Sequence, residues 1–195
     1  MEISKAKIAI IGLGYVGLPL ARLFASKYPT IGFDCNSTLV ATLQKETDTI
    51  EAISRAQSAK GTEPRNLRYT DQIEEIRDCN FYIVTVPTPV DNNNRPDLTP
   101  LIEASTTIGK VIAAGDIVVY ESTVYPGATE EDCIPIIERV SGLQFNKDFY
   151  AGYSPERINP GDREHTVEKI KKVTSGSTPE VAEYIDALYR SVLTN

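Results

Sequence analysis

Short hydrophobic runs alternate with segments of helical spacing along most of the chain. The runs are rich in valine, isoleucine, tyrosine and phenylalanine and stand next to turn-forming residues, which is typical of buried strands. Strands that alternate with helices predict an α/β doubly wound fold, in which helices cover both faces of a parallel sheet of six or more strands. The candidate strands are KIAIIG (residues 7–12), TIGFD (30–34), LRYT (67–70), FYIVTVP (81–87), DIVVYEST (116–123), FYAGYSPE (149–156) and KKVTSGS (171–177).

The helices are predicted from apolar residues that recur three and four positions apart. Thr99 is expected to cap one of them, because a proline follows it at the first helical position. Residues 48–66 are polar and mixed, and we expect a short helix and a loop there. The last helix is expected to begin a connection to another domain, so the predicted boundaries are 1–178 for the sheet domain and 179–195 for the connecting helix. The other helical segments are expected at about 16–26, 37–46, 99–114 and 129–140.

The charge balance and the cysteine pattern argue against several classes of protein. The 195 residues carry a net charge of −7, which argues against nonspecific binding of nucleic acid and against binding to an anionic membrane. Cys35, Cys79 and Cys133 are an odd number of cysteines at wide spacings, which fits neither a disulfide framework nor a zinc site. We therefore expect buried, reduced cysteines, no bound metal and a cytoplasmic location.

A glycine-rich turn joins the first predicted strand to the first predicted helix. In IAIIGLGYVGLPLA (residues 8–21), Gly12 permits a tight turn and Gly14 lets a pyrophosphate approach the backbone. Gly17 allows the helix to pack closely on the strand, and the free N–H groups at the start of that helix attract phosphate. The predicted cofactor-binding residues of this turn are Gly12, Gly14, Tyr15, Val16 and Gly17.

An acidic residue completes the dinucleotide-binding pattern. Asp34 ends the second predicted strand, 22 residues after Gly12. At that distance an aspartate accepts hydrogen bonds from the ribose hydroxyls of a bound dinucleotide and repels a 2′-phosphate. The sequence therefore predicts a Rossmann domain that binds NAD rather than NADP.

Further motifs follow the glycine turn in a fixed order. They are VPTPVD (residues 86–91) with PDL (96–98), ESTVYPGATEE (121–131) and YSPERINPGD (153–162). With GLGYVGLPLA, they resemble the N-terminal half of the UDP-glucose/GDP-mannose dehydrogenase family over essentially the whole chain. SPERINPG is most similar to the branch that acts on UDP-N-acetylhexosamines, since the UDP-glucose branch typically has Ser-Pro-Glu-Phe-Leu-Arg-Glu-Gly there. The resemblance implies oxidation of a sugar C6 alcohol to a carboxylate with two NAD, for surface polysaccharide biosynthesis.

The resemblance also implies roles for residues at the ends of the later strands. Thr123 would lie near the nicotinamide and the reacting carbon. Glu156 would be the general base, or the carboxylate that orients water, for hydrolysis of a thioester intermediate. All of these residues follow carboxyl ends of predicted strands, where open parallel sheets bind ligands. The implied cofactor contacts are Pro87, Thr88 and Thr123, and the implied substrate contacts are Glu156, Arg157 and Asn159.

The chain departs from the family pattern in two respects. The family's nucleophilic cysteine lies in a Gly-Gly-x-Cys-x-Pro-x-Asp segment, and none of the three cysteines here has that setting. The central helix and the UDP-sugar domain are also expected to be absent, so we expect this chain to bind NAD without turnover, as part of a parent that is a homo-oligomer. Leu39 stands where family members often carry a basic residue, which predicts weaker contact with the adenosine end.

Three alternatives remain open from the sequence. A UDP-glucose 6-dehydrogenase and a β-hydroxyacid dehydrogenase have the same kind of cofactor domain, although the second gives no reason for SPERINPGD. The third is a non-catalytic module that binds NAD and has lost the chemistry. The sequence does not distinguish among the possible UDP-hexosamine substrates.

Overall fold

The strands form where the apolar runs predicted them. The computed structural model describes residues 2–57, 66–90, 95–156 and 172–193. The seven strands are β1 (Ile8–Ile11), β2 (Thr30–Phe33), β3 (Leu67–Thr70), β4 (Phe81–Val84), β5 (Ile117–Tyr120), β6 (Tyr150–Tyr153) and β7 (Ser175–Gly176). The helices are α1 (Gly17–Ala25), α2 (Ser37–Gln57), α3 (Thr99–Gly109), α4 (Ile134–Ser141) and α5 (Pro179–Val192), with 3₁₀ turns at Ile3–Lys5 and Ile73–Ile76 and a π-helical turn at Thr129–Cys133.

The strands make one sheet in the order β3-β2-β1-β4-β5-β6-β7. All neighbouring pairs are parallel except β6 and β7, which are antiparallel. This order confirms the predicted doubly wound fold. The chain reverses its direction of winding between β1 and β4, and ligands of such sheets bind outside the carboxyl ends of the strands at that point.

Two apolar layers cover the faces of the sheet. Successive side chains of a strand point to opposite faces. In β1, Ile8 and Ile10 belong to the layer that contains α1 and α5, whereas Ala9 and Ile11 belong to the layer that contains α3 and α4. α5 is part of the first layer, where the ring of Tyr189 packs edge-on against Phe24 with centroids 5.4 Å apart. Whether α5 also leads into a further domain stays a prediction.

The helix boundaries differ from the predicted ones at the end of α2 and at both ends of α3. α2 continues without a break to Gln57, so no separate short helix begins near residue 48. α3 ends at Gly109 rather than near residue 114, although Val111 and Ile112 are buried and extend the apolar spacing beyond the helix. Its N-cap is Leu98 rather than Thr99, because Thr99 N–H donates to Asp97 Oδ1 from inside the helix.

The cysteines are only partly as predicted. Cys79 and Cys133 are buried, but Cys35 is exposed at the end of β2, so the prediction that all three are buried was wrong. The reason is local, because Cys35 lies past the last residue of the strand, in the turn that leads to α2. In the parts of the chain that the structure describes, none of the helices is both long and apolar enough to cross a membrane.

Candidate functional site

Five chain segments meet along the carboxyl edge of the sheet. Backbone hydrogen bonds continue between neighbouring segments past the strand ends, from Gly12 N to the Phe33 oxygen (2.8 Å) and from Glu121 N to the Val84 oxygen (2.9 Å). Glu156 N likewise donates to the Glu121 oxygen over 3.1 Å. The residues that the sequence singled out after β1, β2, β4, β5 and β6 are therefore side by side.

The glycine turn has the geometry that its spacing predicts. Gly12 has a φ of +97°, in the left-handed region that favours glycine. A Cβ atom on Gly17 would lie 1.8 Å from the Gly12 carbonyl oxygen, so only glycine lets α1 begin this close to the turn. A Cβ atom on Gly14 would have no atom within 4 Å, which leaves open space above the start of α1. Tyr15 is exposed beside this space and Val16 is buried beneath it.

Two backbone N–H groups hold the Asp34 carboxylate in place, one from the glycine turn after β1 and one from the turn after β2. Its Oδ2 accepts a hydrogen bond from Leu13 N at 2.8 Å, and its Oδ1 accepts one from Asn36 N at 2.9 Å. Each carboxylate oxygen has a further lone pair for another donor. The carboxylate therefore has a fixed position and can still accept hydrogen bonds from ribose hydroxyls.

A cavity of about 710 Å³ extends from the glycine turn to α3. Its size suits a nucleotide, and Leu39 supplies an apolar wall. An open glycine at a helix N-terminus, a fixed aspartate and an apolar cavity are the features that a dinucleotide requires, so the residues present fit NAD. The cavity is lined among others by Gly12, Gly14, Asp34, Leu39, Thr85 and Pro87.

Thr85 is a site residue that the sequence analysis missed. It follows β4, it is buried, and its Oγ1 lies 2.7 Å from the Gly12 oxygen, to which it donates. This hydrogen bond ties the glycine turn to the end of β4, and the Thr85 hydroxyl also lies close to Gly17. A threonine after a hydrophobic run has no distinctive pattern, so the sequence offers no signal for this role.

Hydroxyl groups join the segments that follow β4 and β5. Thr88 Oγ1 donates to the Thr123 oxygen at 2.8 Å, and Ser122 Oγ donates to the Val86 oxygen at 2.6 Å. Thr123 itself is exposed at the edge of the sheet. The structure thus brings Thr88 and Thr123 together, and Pro87 lines the adjoining cavity.

Glu156 belongs to a buried polar group that we name the acid–lysine cluster: Glu121, Glu156, Lys172 and Tyr189. Lys172 Nζ contacts Glu156 Oε2 at 2.9 Å and also contacts Glu121 Oε2. Tyr189 OH donates to Glu121 Oε1 at 2.5 Å. The sequence pattern places both Glu121 and Lys172 in candidate strands and gives neither a role in the site. The signal that could have found Glu121 is a carboxylate directly after the buried run IVVY.

Burial dominates the electrostatics of this cluster. Loss of solvent raises the pKa of Glu121 from its ordinary 4.5 to about 7, although Lys172 and Tyr189 favour the ionised form. Burial also raises the pKa of Tyr189, and the neighbouring Glu121 adds to the effect. Glu121 can therefore exchange a proton near neutral pH.

The remaining site features are the predicted substrate contacts that follow Glu156 and the question of a metal site. Arg157 and Asn159 lie outside the described residues, so their predicted contacts with substrate stay predictions. Within the described ranges, no three His, Cys, Asp or Glu side chains are grouped so that they could hold a metal ion.

The chain matches a known protein family over almost its whole length. A model of the UDP-glucose/GDP-mannose dehydrogenase family, NAD binding domain, matches residues 6–193. UDP-N-acetyl-D-glucosamine 6-dehydrogenase of Pseudomonas aeruginosa is 57% identical over 188 residues, and the enzyme of the same name from Salmonella typhi is 54% identical over 191 residues. These alignments cover 96% and 98% of this chain but 44% of each relative, so the chain spans less than half of their length.

Solved structures agree with the fold and with the resemblance seen in the motifs. UDP-D-ManNAc dehydrogenase from Pyrococcus horikoshii has a TM-score of 0.81 at 31% identity, over 97% of this chain and 45% of that one. A ternary complex of GDP-mannose dehydrogenase from Pseudomonas aeruginosa has a TM-score of 0.81 at 27% identity, over 95% of this chain and 44% of that one. The chain therefore belongs to the UDP-glucose/GDP-mannose dehydrogenase family, and residues 6–193 match the family's NAD-binding domain.

Proposed function

We propose that this chain holds NAD for the oxidation of the C6 alcohol of a UDP-N-acetylhexosamine to a carboxylate, within a larger enzyme. The observation that carries the proposal is the convergence of the open Gly14 turn, the fixed Asp34 carboxylate and a 710 Å³ cavity at the point where the winding reverses. NAD supplies the hydride acceptor. The relatives that are 54–57% identical are UDP-N-acetyl-D-glucosamine 6-dehydrogenases, which supports this substrate class over UDP-glucose or a β-hydroxyacid.

The edge of the sheet divides into a cofactor side and a reacting side. The pyrophosphate would lie against Gly14 at the start of α1, and the adenosine ribose would bind Asp34. Thr88, which follows the cavity-lining Pro87, and Thr123, whose oxygen accepts a hydrogen bond from Thr88, would then line the nicotinamide end. Glu156, on the neighbouring segment, would direct water to the substrate carbon as a general base.

This chain alone is proposed to bind NAD without catalysing the oxidation. Thiolate attack requires an accessible cysteine with a low pKa. Burial raises the pKa of Cys79 to about 12 and also raises the pKa of Cys133. Cys35 is exposed, but it lines the predicted adenosine cavity rather than the segments that follow β5 and β6. None of the three thiols is therefore placed as the nucleophile.

Replacing Asp34 with serine is expected to weaken NAD binding at least about 10-fold, because hydrogen bonds to a charged group contribute about 1.5–3 kcal/mol. NADP is expected to bind the wild-type chain more weakly than NAD, and the substitution should narrow that difference since it removes the repulsion of the 2′-phosphate. Isothermal titration with both dinucleotides measures these changes.

The matched control for Asp34 is Asp148→Ser. Asp148 also accepts a backbone hydrogen bond through a carboxylate oxygen, from Gln144 N at 2.9 Å, but it lies on the loop before β6, at the opposite edge of the sheet. This variant should bind NAD as the wild type does. Equal NAD affinity in the Asp34 and Asp148 variants would contradict the proposed ribose contact.

Replacing Gly14 with alanine is expected to abolish measurable NAD binding and to leave the fold intact. The added Cβ meets no protein atom within 4 Å, so it occupies only the space that we assign to the pyrophosphate. Adenosine, which has no pyrophosphate, should bind the variant and the wild type equally. Titrations with NAD and adenosine, together with thermal unfolding of the free chain, test this; retained NAD affinity would place the pyrophosphate elsewhere.

A further inference from the structure

The acid–lysine cluster connects the interior of the domain to its ligand edge. The Glu121 side chain is 0% exposed, Lys172 is 3% exposed and Glu156 is 9% exposed. Lys172 lies between the two carboxylates and contacts one oxygen of each. Glu156 is therefore the outermost member of a chain of contacts that begins at Tyr189 on α5.

The two carboxylates of this cluster contact the same ammonium group, that of Lys172. When both are ionised they compete for it, and buried charges are costly unless they are paired. If Glu121 carries a proton, Glu156 is the ionised carboxylate that Lys172 contacts. The ionisation of Glu121 thus decides how much of the lysine charge is available to Glu156.

The location of the cluster suggests more than a contribution to folding. A buried ion pair is weak support for stability, since apolar residues of the same volume often do as well. This cluster lies at the carboxyl ends of β5 and β6, where the sheet binds ligands, and its backbone is fixed by the bond from Glu156 N to the Glu121 oxygen. It holds one acid, Glu156, at the edge where water would have to be activated.

We propose that Lys172 and Glu121 are positioning residues for Glu156: Lys172 holds its carboxylate ionised and in a fixed direction, and Glu121 weakens that hold when it ionises and competes for the same ammonium group. The inference rests on the proposed function, in which Glu156 acts on water. Among the residues that the structure describes, the groups that face Glu121 are Lys172 before β7, Tyr189 on α5 and Glu156 after β6, with the buried Ser154 hydroxyl beside Tyr189.

The proposal predicts a coupled titration of the two glutamates. The wild-type chain, labelled with ¹³C at glutamate side-chain carboxyls, is titrated by NMR, with Glu121→Gln and Glu156→Gln assigning the two resonances. The Glu156 resonance is expected to move in two steps, the second at the pH where Glu121 ionises. In Glu121→Gln the second step should be lost. A single step in the wild type, or two steps in Glu121→Gln, would overturn the proposal.

Asp116→Asn is the matched control for this titration. Asp116 is also a buried carboxylate, whose pKa burial raises to about 6, but it precedes β5 and lies at the other end of that strand. Its removal should leave both steps of the Glu156 resonance in place. If Asp116→Asn also removes the second step, that step reports a general change in the fold, and the specific role of Glu121 is refuted.

A second variant tests the coupling should Glu121→Gln not fold. Tyr189→Phe removes the hydroxyl that donates to Glu121 and leaves every charge in place. The Glu121 step and the second Glu156 step are expected to move together to higher pH, because the ionised form of Glu121 loses a donor. Steps that move independently would refute the coupling.

Titration of the same wild-type sample with NAD separates this inference from the proposed function. Coupled steps without NAD binding would contradict the cofactor site and leave the cluster intact. NAD binding without coupled steps would contradict the cluster alone.

Discussion

Replacing Gly17 with alanine is expected to destabilise the chain by at least about 3 kcal/mol, the upper part of the range for overpacked cores. The new Cβ would lie 1.8 Å from the Gly12 carbonyl oxygen and 2.5 Å from Thr85 Oγ1. A flexible side chain could rotate away, but the Gly12 carbonyl belongs to the turn backbone and cannot move unless α1 moves from β1. Domains of this kind are stable by about 5–15 kcal/mol, so a large share of the total is lost.

Urea denaturation of Gly17→Ala beside the wild type measures this loss, with Gly14→Ala as the matched control. The control adds the same methyl group three residues earlier in the same turn, where it meets nothing, and should change the free energy of unfolding by no more than about 0.5 kcal/mol. A double variant with Thr85→Ala should not recover the stability of Gly17→Ala, since the carbonyl contact remains. A Gly17→Ala chain within about 1 kcal/mol of the wild type would contradict the close approach of α1 to the turn.

The sequence predicts the parts of the site that depend on local backbone or on strand order. The roles of Gly12 and Gly17 depend on their position between a strand and a helix. The sequence predicts both of these elements from their apolar patterns. Thr88 and Thr123 are each expected at the ligand edge because each follows a predicted strand of a parallel sheet, and the pairing of β4 with β5 makes them neighbours. That the Thr88 hydroxyl donates to the Thr123 main chain was not predictable, since side-chain direction at a strand end is set by tertiary packing.

The acid–lysine cluster is a part of the site that could not be predicted from the sequence. Lys172 and Glu121 are 51 residues apart, and Tyr189 and Glu121 are 68 residues apart. Nothing in the spacing of those residues connects them, because the contact arises only when β7 turns back antiparallel to β6 and α5 packs across the sheet. Long-range polar contacts of this kind require the fold before they can be recognised.

The same cluster makes stability depend on pH. An unfolded glutamate has a pKa of 4.5, and burial raises the pKa of Glu121 in the folded chain to about 7. Between these values the folded chain keeps a proton that the unfolded chain has released, so the contribution of Glu121 is fully present below pH 4.5 and is lost as the pH rises through 7. The loss is on the order of 2–4 kcal/mol, at 1.36 kcal/mol for each pKa unit.

Replacing Lys172 with methionine is therefore expected to cost about 3–5 kcal/mol at pH 8, the range for breaking a buried ion pair from one side. Glu121 would then lose the ammonium group that it contacts, next to the Glu156 carboxylate. At pH 5 the cost should be smaller, because Glu121 is protonated there and the remaining charge no longer repels a second one. Urea denaturation at both pH values measures the difference, and Lys147→Met, which removes an exposed lysine bound to Gln144, should change stability by less than about 0.5 kcal/mol. Equal losses at pH 5 and pH 8 would show that Lys172 stabilises the fold through its packing alone, and that the two glutamates do not depend on its charge.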